Sequence, residues 1–330
     1  MNILLTGGAG YIGSHTAVTL LEAGHNVVVA DNLCNSNQET LERIRQITQK
    51  EIPFYHIDVT EQDKVNSIFA SHRLDGVVHF AGLKAVGESV EKPLTYYYNN
   101  VVCTMVLAKA CLTYGVKRFV FSSSATVYGE NVVPFVETME LLPATNPYGS
   151  TKVMSERILS DIVKANPDWM VALLRYFNPV GAHESGLIGE DPKGIPNNLM
   201  PYITKVAKGE LDRLRVFGDD YPTIDGTGVR DYIHVMDLAE GHMAALDQLG
   251  PGLHIYNLGT GKGTSVLQLV RAFEEANGVK VPYEIVARRP GDIAECYADA
   301  SKAWRDLGWK TRRDLLDMCR DAWRFEKNNI

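Results

Sequence analysis

The segment Thr6–Gly13 (TGGAGYIG) lies directly between the first apolar run of the chain, Asn2–Leu5, and the first amphipathic stretch, Tyr11–Ala23. Its glycines fit both G-x-G-x-x-G, the dinucleotide fingerprint, and the neighbouring spacing G-x-x-G-x-x-G. Either spacing gives a tight turn, room for a pyrophosphate beside the backbone, and a helix N-terminus with open N–H groups. The segment therefore predicts a strand–turn–helix unit that binds a dinucleotide.

An acidic residue at the end of the second predicted strand narrows the choice of dinucleotide. Asp31 follows the apolar run Asn26–Ala30, where a carboxylate can bond both ribose hydroxyls of an adenosine. The same carboxylate would repel a 2′-phosphate, so the sequence favours NAD over NADP as the cofactor.

Short apolar runs and longer amphipathic stretches alternate through the first half of the chain, which is typical of a parallel sheet covered on both faces. We therefore predict an α/β fold, a Rossmann doubly wound parallel sheet with a smaller C-terminal α+β substrate domain. The predicted division places the NAD-binding domain at residues 1–177 and the substrate-binding domain at residues 178–330, with segments around 230–260 packing back on the Rossmann sheet. Residues 178–196, dense in glycine and proline, are expected to form a long loop.

Composition excludes several classes of function. The 330 residues include 33 Lys+Arg and 40 Asp+Glu, a net charge of −7 that argues against a general nucleic-acid binder. Five scattered cysteines form no C-x-x-C pair and the histidines show no paired spacing, so we expect no disulfide framework and no metal site. No apolar stretch approaches the roughly 20 residues that span a bilayer, and a cytoplasmic location is expected.

A tyrosine and a lysine four residues apart, Tyr148 and Lys152, are predicted on one face of a helix. Ser122–Ser124 follow a buried strand, at the edge of the sheet where ligands bind in open α/β folds. Lowering the pKa of a phenol by about three units requires about 4 kcal/mol. A cation about 4 Å away in an effective dielectric near 20 supplies roughly that much, so Lys152, helped by the positively charged nicotinamide, is sufficient to make Tyr148 a base.

The glycine motif, the serine-rich strand end and Y-x-x-x-K resemble the extended short-chain dehydrogenase/reductase family. Within that family the whole chain is similar to the UDP-galactose 4-epimerases, most specifically at HFAGLKAVGES (79–89), SSSATVYG (122–129), LRYFNPVGA (174–182), NNLMP (197–201) and DGTGVRDYIHV (225–235). The resemblance implies interconversion of UDP-glucose and UDP-galactose by reversible hydride transfer from sugar C4 to tightly bound NAD, through a 4-keto intermediate. The resemblance also implies a homodimer through the helices Leu94–Tyr114 and Tyr148–Lys164.

The resemblance also assigns site residues. Catalytic roles fall to Ser124, Tyr148 and Lys152. The NAD site would be formed by Gly7, Gly10, Tyr11, Ile12, Gly13, Asp31, Asn32, Asn35, Ser36, Asp58, Val59, Phe80, Ala81, Lys84, Asn99, Tyr148, Lys152 and Phe177. The UDP-sugar would be held by Lys84, Ser124, Asn178, Asn198, Leu199, Arg215, Val216, Phe217, Arg230, Tyr232, Val266, Arg289, Asp292 and Cys296.

Two alternative functions are weighed against this one. A nucleotide-sugar 4,6-dehydratase needs an Asp-Glu pair after the strand end, where this chain has Ala125 and Thr126. A catalytically inactive NAD-sensing protein would typically lack the tyrosine or the lysine, and both are present. Epimerases confined to unmodified hexoses resemble one another in a tyrosine at the position of Cys296. The smaller thiol predicts that UDP-N-acetylglucosamine and UDP-N-acetylgalactosamine are also substrates.

Overall fold

The computed structural model of the chain describes residues 1–194, 196–289 and 291–329. Its strands are β1 (Asn2–Thr6), β2 (Asn26–Asp31), β3 (Phe54–His56), β4 (Gly76–His79), β5 (Arg118–Ser124), β6 (Met170–Tyr176), β7 (Asn178–Val180), β8 (Leu214–Phe217), β9 (Val229–His234), β10 (Gly252–Leu258), β11 (Gly263–Ser265), β12 (Tyr283–Val286) and β13 (Glu295–Cys296). Its α-helices are α1 (Tyr11–Glu22), α2 (Glu39–Thr48), α3 (Gln62–Ser71), α4 (Val86–Glu91), α5 (Pro93–Tyr114), α6 (Pro147–Ala165), α7 (Leu199–Lys208), α8 (Val235–Gln248), α9 (Val266–Asn277), α10 (Ser301–Leu307) and α11 (Leu315–Asn328).

Seven strands form one parallel sheet in the order β10-β6-β5-β4-β1-β2-β3. Along β1, Ile3 and Leu5 belong to the core on one face of the sheet, and Leu4 belongs to the core on the other face. This alternation follows from the two-residue period of a strand, and it buries apolar side chains on both sides. The predicted Rossmann-type fold class is confirmed.

Two layers of helices cover the sheet. On one face, Leu20 of α1 and Leu246 of α8 join the core with the β1 side chains. On the other face, Ile68 of α3, Leu107 of α5 and Leu159 of α6 are fully buried. The cores pack at the middle of the strands, which leaves the carboxyl ends of the strands free to carry polar residues.

The second half of the chain builds a smaller unit on its own core. Strand β9 pairs with β7, β11 and β13, while β8 and β12 form a separate two-stranded sheet. Ile203 of α7, Phe273 of α9 and Cys319 of α11 are completely buried in this core. Two elements of the second half return to the first sheet, because β10 pairs with β6 at its edge and α8 packs against α1.

The region expected to be a long loop differs at its start. Asn178–Val180 form strand β7, which pairs in parallel with residues 232–234 of β9. The strand is three residues long and contains Pro179, so nothing in its local sequence indicates a strand. Its pairing partner lies more than fifty residues further along the chain, and only the folded structure brings the two together.

Among the residues that the structure describes, no helix is long and apolar enough to cross a membrane. The same ranges contain no group of three or more His, Cys, Asp and Glu side chains arranged to hold a metal ion.

A buried histidine between the two layers gives the fold a dependence on pH. His79 is 1% exposed, and its ring nitrogens lie 2.7 Å from Thr6 Oγ1 and 3.2 Å from Thr104 Oγ1. Burial, aided by the positive charge of Lys152, lowers the pKa of His79 to about 3. The unfolded chain therefore takes up this proton first as the pH falls, so stability is lost from about pH 6.5 downward.

We expect acidification from pH 6.5 to 5.5 to remove about 1 kcal/mol of stability through His79 alone. Urea unfolding of the parent and of His79→Gln at both pH values measures this. The variant should be less stable at pH 7.5 but should lose about 1 kcal/mol less than the parent on acidification. Equal losses in the two proteins would show that His79 does not contribute to the pH dependence.

Candidate functional site

One cleft, with a cavity of about 450 Å³, opens at the carboxyl ends of the parallel strands, a volume typical of a ligand site. The loops after β1, β2 and β4, the end of β5 and the start of α6 form its walls. Every residue predicted for the NAD site lines this cleft, as do four of those predicted for the UDP-sugar: Lys84, Ser124, Asn178 and Asn198.

The glycine turn leaves no room for side chains. Gly7 has φ +71°, and a Cβ there would lie 2.7 Å from the backbone nitrogen of Ala81. A Cβ at Gly13 would collide with the carbonyl oxygen of Gly7. The N-cap of α1 is Gly10, which has no side chain to bond the first N–H groups of the helix. This cradle of backbone and open N–H groups fits the pyrophosphate of a dinucleotide.

Asp31 ends β2 at the rim of the cleft and is 7% exposed. One carboxylate oxygen accepts from Ala9 N at 3.1 Å, and the other accepts from Leu33 N at 2.8 Å and Ser36 Oγ at 2.9 Å. Asp31 therefore fixes the glycine turn against the loop after β2. A ribose hydroxyl that binds Asp31 would donate to a carboxylate oxygen that already accepts a hydrogen bond from the protein.

The helix α6 brings Tyr148 and Lys152 to the inner end of the cleft. Its N-cap, Asn146, accepts from Gly149 N at 2.9 Å, so the helix begins immediately before the tyrosine. Lys152 is 6% exposed, and its Nζ donates to the carbonyl oxygen of Ser122 at 2.7 Å. Burial lowers the pKa of Lys152 to about 8, although Cys103 and Glu156 oppose that shift.

Burial acts against ionisation of Tyr148. Desolvation raises the pKa of Tyr148, while the Ser124 hydroxyl acts in the opposite direction. Lys152 Nζ lies 5.8 Å from the centroid of the Tyr148 ring. The sequence argument left out this desolvation, which the positive charges of Lys152 and of a bound nicotinamide would have to offset.

A buried ionic network, which the sequence analysis missed, holds α6 against the sheet. Glu156 accepts from Arg175 Nε at 2.9 Å and from Arg175 Nη2 at 2.7 Å, and its Oε1 also accepts from Ser123 Oγ at 2.6 Å. The side chains of the ion pair are 6% and 3% exposed. Glu156 follows Lys152 by four residues, and this spacing was a signal that it shares the face of the catalytic pair.

Five of the ten remaining residues predicted for the UDP-sugar, Phe217, Arg230, Arg289, Asp292 and Cys296, are linked by contacts around one aromatic ring and two arginines. The Arg289 guanidinium lies 4.7 Å from the centroid of Phe217, and its Nε bonds Asp292 at 3.0 Å. Arg230 Nη2 lies 3.9 Å from the same carboxylate, and Cys296 pairs with Arg230 between β13 and β9. One guanidinium thus lies over a planar ring and a second lies near the same carboxylate, an arrangement that suits a nucleoside diphosphate.

The other predicted residues of this half lie around that group. Arg215 is paired with Glu284 at 3.7 Å, while Val216 and Tyr232 are buried in the core of the second unit. Val266 opens α9 and Leu199 opens α7, and both pack against that core.

Glu190, which the sequence analysis also missed, lies on the wall of the cleft. Its Oε1 accepts from Lys84 Nζ at 3.1 Å and from Asn198 Nδ2 at 2.6 Å. Both partners are predicted ligand residues. Glu190 lies in a glycine- and proline-rich segment without periodicity, so no pattern in the sequence singles it out.

Comparisons with known proteins agree with this geometry. A sequence model described as the NAD dependent epimerase/dehydratase family matches residues 3–259. The chain is 58% identical over 333 residues to a UDP-glucose 4-epimerase of Bacillus subtilis (strain 168), covering 100% of this chain and 98% of that protein. It is 59% identical over 332 residues to a UDP-glucose 4-epimerase of Haemophilus influenzae, covering 100% and 98%.

Solved structures give the same result. The crystal structure of UDP-glucose 4-epimerase from Bifidobacterium longum in complex with NAD+ and UDP superimposes with a TM-score of 0.97 at 53% identity, covering 100% of this chain and 99% of that one. The UDP-Glc/GlcNAc 4-epimerase of Campylobacter jejuni superimposes with a TM-score of 0.85 at 39% identity, covering 99% of each chain.

Proposed function

The chain belongs to the NAD dependent epimerase/dehydratase family, and from that premise we propose that it is an isomerase that interconverts UDP-glucose and UDP-galactose with NAD as its cofactor. One observation carries this conclusion. Ser124, Tyr148 and Lys152 line the same cleft as the glycine turn and Asp31, so an alcohol bound there meets a proton acceptor beside a nicotinamide. The absence of an Asp-Glu pair at Ala125 and Thr126 disfavours dehydration.

Different residues of the chain have different roles in the proposed reaction. Bound NAD supplies the hydride acceptor and donor. Tyr148 Oη takes the proton of the sugar 4-hydroxyl and returns it to the product, with Ser124 positioned to hydrogen-bond the same oxygen. Lys152 supplies a positive charge near the ring, which favours the phenolate over the neutral phenol. Because the pKa of Lys152 is about 8, this support weakens as the pH rises above that value.

The two halves of the cleft would hold the two nucleotides. We assign the cofactor to the residues of the sheet edge, with the pyrophosphate at the glycine turn and the adenosine ribose at Asp31. We assign the uridine diphosphate to Arg230, Arg289 and Phe217, together with Asn198 at the start of α7. The relative from Bifidobacterium longum, which was solved with NAD+ and UDP, supports both assignments. We also propose that the chain divides near residue 177 into a domain that binds NAD and a domain that binds the UDP-sugar.

Substrate breadth is proposed from the size of one side chain. Cys296 is partly buried and packs against the cluster that contains Ala125 and Phe177, and Phe177 lines the cleft. A thiol leaves more room there than a phenol ring, so an acetamido group at sugar C2 can be accommodated. The relative from Campylobacter jejuni, named for both UDP-Glc and GlcNAc, supports activity on acetylated sugars.

A homodimer through α5 and α6 is proposed from exposed apolar side chains. Leu94 is 82% exposed and Tyr98 is 66% exposed on α5, one turn apart, and Met105 and Met154 extend the apolar surface along α5 and onto α6. Exposed apolar side chains that continue across two packed helices are typical of an interface.

A cytoplasmic location is proposed from the five cysteines, none of which forms a disulfide.

The catalytic assignment predicts that Tyr148→Phe lowers kcat by about 10²- to 10⁴-fold, the contribution typical of a general base. The ring and its packing are kept, so the NAD content of the purified variant should equal that of the parent. Conversion of UDP-galactose to UDP-glucose, with the products resolved by chromatography, provides the measurement. Tyr283→Phe, at an exposed tyrosine of β12, serves as the matched control. Near-parental turnover by Tyr148→Phe would refute the assignment.

The proposal for substrate breadth predicts that the parent interconverts UDP-N-acetylglucosamine and UDP-N-acetylgalactosamine. Cys296→Tyr should abolish this activity by steric overlap and largely spare UDP-galactose, whereas Cys296→Ala should retain both activities. Rates on the two substrate pairs are compared for the three proteins. Equal losses on both pairs in Cys296→Tyr, or a parent inactive on acetylated sugars, would contradict the proposal.

The dimer proposal predicts that Leu94→Glu combined with Tyr98→Glu converts the protein to monomers, because two charges would have to be buried at the interface. Sedimentation velocity measures the mass of the parent and of the variant. Ile224→Glu, at an isolated side chain that is 79% exposed, should leave the mass unchanged. A parent that sediments as a monomer would exclude this interface.

A further inference from the structure

A single carboxylate oxygen joins the two halves of the cleft. The Glu190 side chain is 8% exposed, and its Oε1 accepts from both Lys84 and Asn198. Lys84 lies in the loop after β4 of the seven-stranded sheet, on the cofactor side. Asn198 precedes α7 of the second unit, on the substrate side. Glu190 therefore fixes a cofactor-side ammonium and a substrate-side amide at one point.

Asn198 is the N-cap of α7, yet its side chain makes no capping hydrogen bond. In α6 the N-cap Asn146 accepts from the third residue, Gly149. The third residue of α7 is Pro201, which has no N–H, so the corresponding bond cannot form. The Asn198 Nδ2 donates to Glu190 at 2.6 Å, so Glu190 sets the direction of this side chain at the cleft.

We propose that Glu190 is a positioning residue for the UDP-sugar, which holds the Lys84 ammonium and the Asn198 amide at the cleft. This inference rests on the proposed function, since it concerns the binding of that substrate.

The geometric role and a purely electrostatic one predict opposite results. A carboxylate in a cleft for two pyrophosphates repels the ligands, so its charge by itself weakens binding. If Glu190 acted only through its charge, removing the charge would tighten binding, and shortening the side chain would change little. If Glu190 acts by position, the length of the side chain and its acceptor oxygen matter more than the charge.

Two variants separate these cases in the NAD-loaded protein. Glu190→Asp keeps the charge but withdraws the oxygen by one methylene, and we expect the affinity for UDP to fall about tenfold as the two hydrogen bonds are lost. Glu190→Gln keeps an acceptor oxygen in place, and we expect an affinity within about threefold of the parent. Calorimetric titration with UDP provides the measurement, and the NAD content of each variant confirms that the fold is intact.

Steady-state kinetics provide the second readout. For Glu190→Asp, the KM for UDP-galactose should rise in parallel with the Kd for UDP, while kcat changes less than KM. Glu130→Gln is the matched control, since it removes the same charge from an exposed residue outside the lining of the cleft and should bind UDP as the parent does.

The possible outcomes distinguish this proposal from the proposed function. Glu190→Asp with parental UDP affinity, or Glu190→Gln binding more tightly than the parent, would overturn the positioning role alone. A parent that binds UDP but does not interconvert the two sugars would overturn the proposed function alone, and the UDP titrations would still test Glu190.

Discussion

The buried ion pair between Glu156 and Arg175 is the interaction on which the geometry of the site depends. It joins α6, which carries Tyr148 and Lys152, to β6, and through Ser123 to β5 as well. Both bonds of the guanidinium to the carboxylate are short, which makes the pair directional. Loss of either partner would leave a buried charge unpaired, at a cost of about 3–5 kcal/mol. The ion pair therefore holds α6 against the sheet at the carboxyl end of β5.

The Glu156–Arg175 pair also affects the pKa of Lys152. Burial lowers the pKa of Lys152, and the carboxylate of Glu156, one turn further along the helix, opposes that shift. The Ser122 carbonyl oxygen accepts a bond from the ammonium and favours the charged form as well. Tyr148 is affected by burial in the opposite direction, because burial raises the pKa of an acid and lowers that of a base. Burial thus favours the neutral phenol, and formation of a phenolate depends on the positive charges near its ring.

The parts of the site that could be predicted from the sequence are those whose positions depend on residue spacing within a short segment. The glycine turn, Asp31 and the Tyr148–Lys152 pair each lie within one strand–turn–helix unit or one helix, where spacing determines position. The shift in the pKa of Tyr148 could not be predicted in the same way, because it depends on desolvation and on a distance that only packing determines. Glu156 could have been found, since it continues the i, i+4 series on the face of α6. Arg175, a charge within the apolar strand β6, was the matching signal.

The second unit was less predictable because its sheet is built from pairings between distant segments. Strand β13 is two residues long and β7 is three, so neither shows a periodicity of its own. What holds these segments is a set of specific polar contacts, of which Asp231 is the clearest. Its buried carboxylate accepts from the backbone of Thr260, Gly261 and Ala298, and thereby fixes the turn before β11 and the chain after β13 against β9.

Strand β9 also leads directly into α8, which packs on the first sheet, with no linker between His234 and Val235. The junction at Tyr176–Asn178 is nearly as short, since a single residue separates the end of β6 in the first sheet from the start of β7 in the second. Connections of this length leave few residues that could absorb a change in backbone angles. The two walls of the cleft are therefore held at a fixed separation by the backbone itself. Side chains such as Glu190, which bridge the walls, then act between groups whose spacing the fold has already determined.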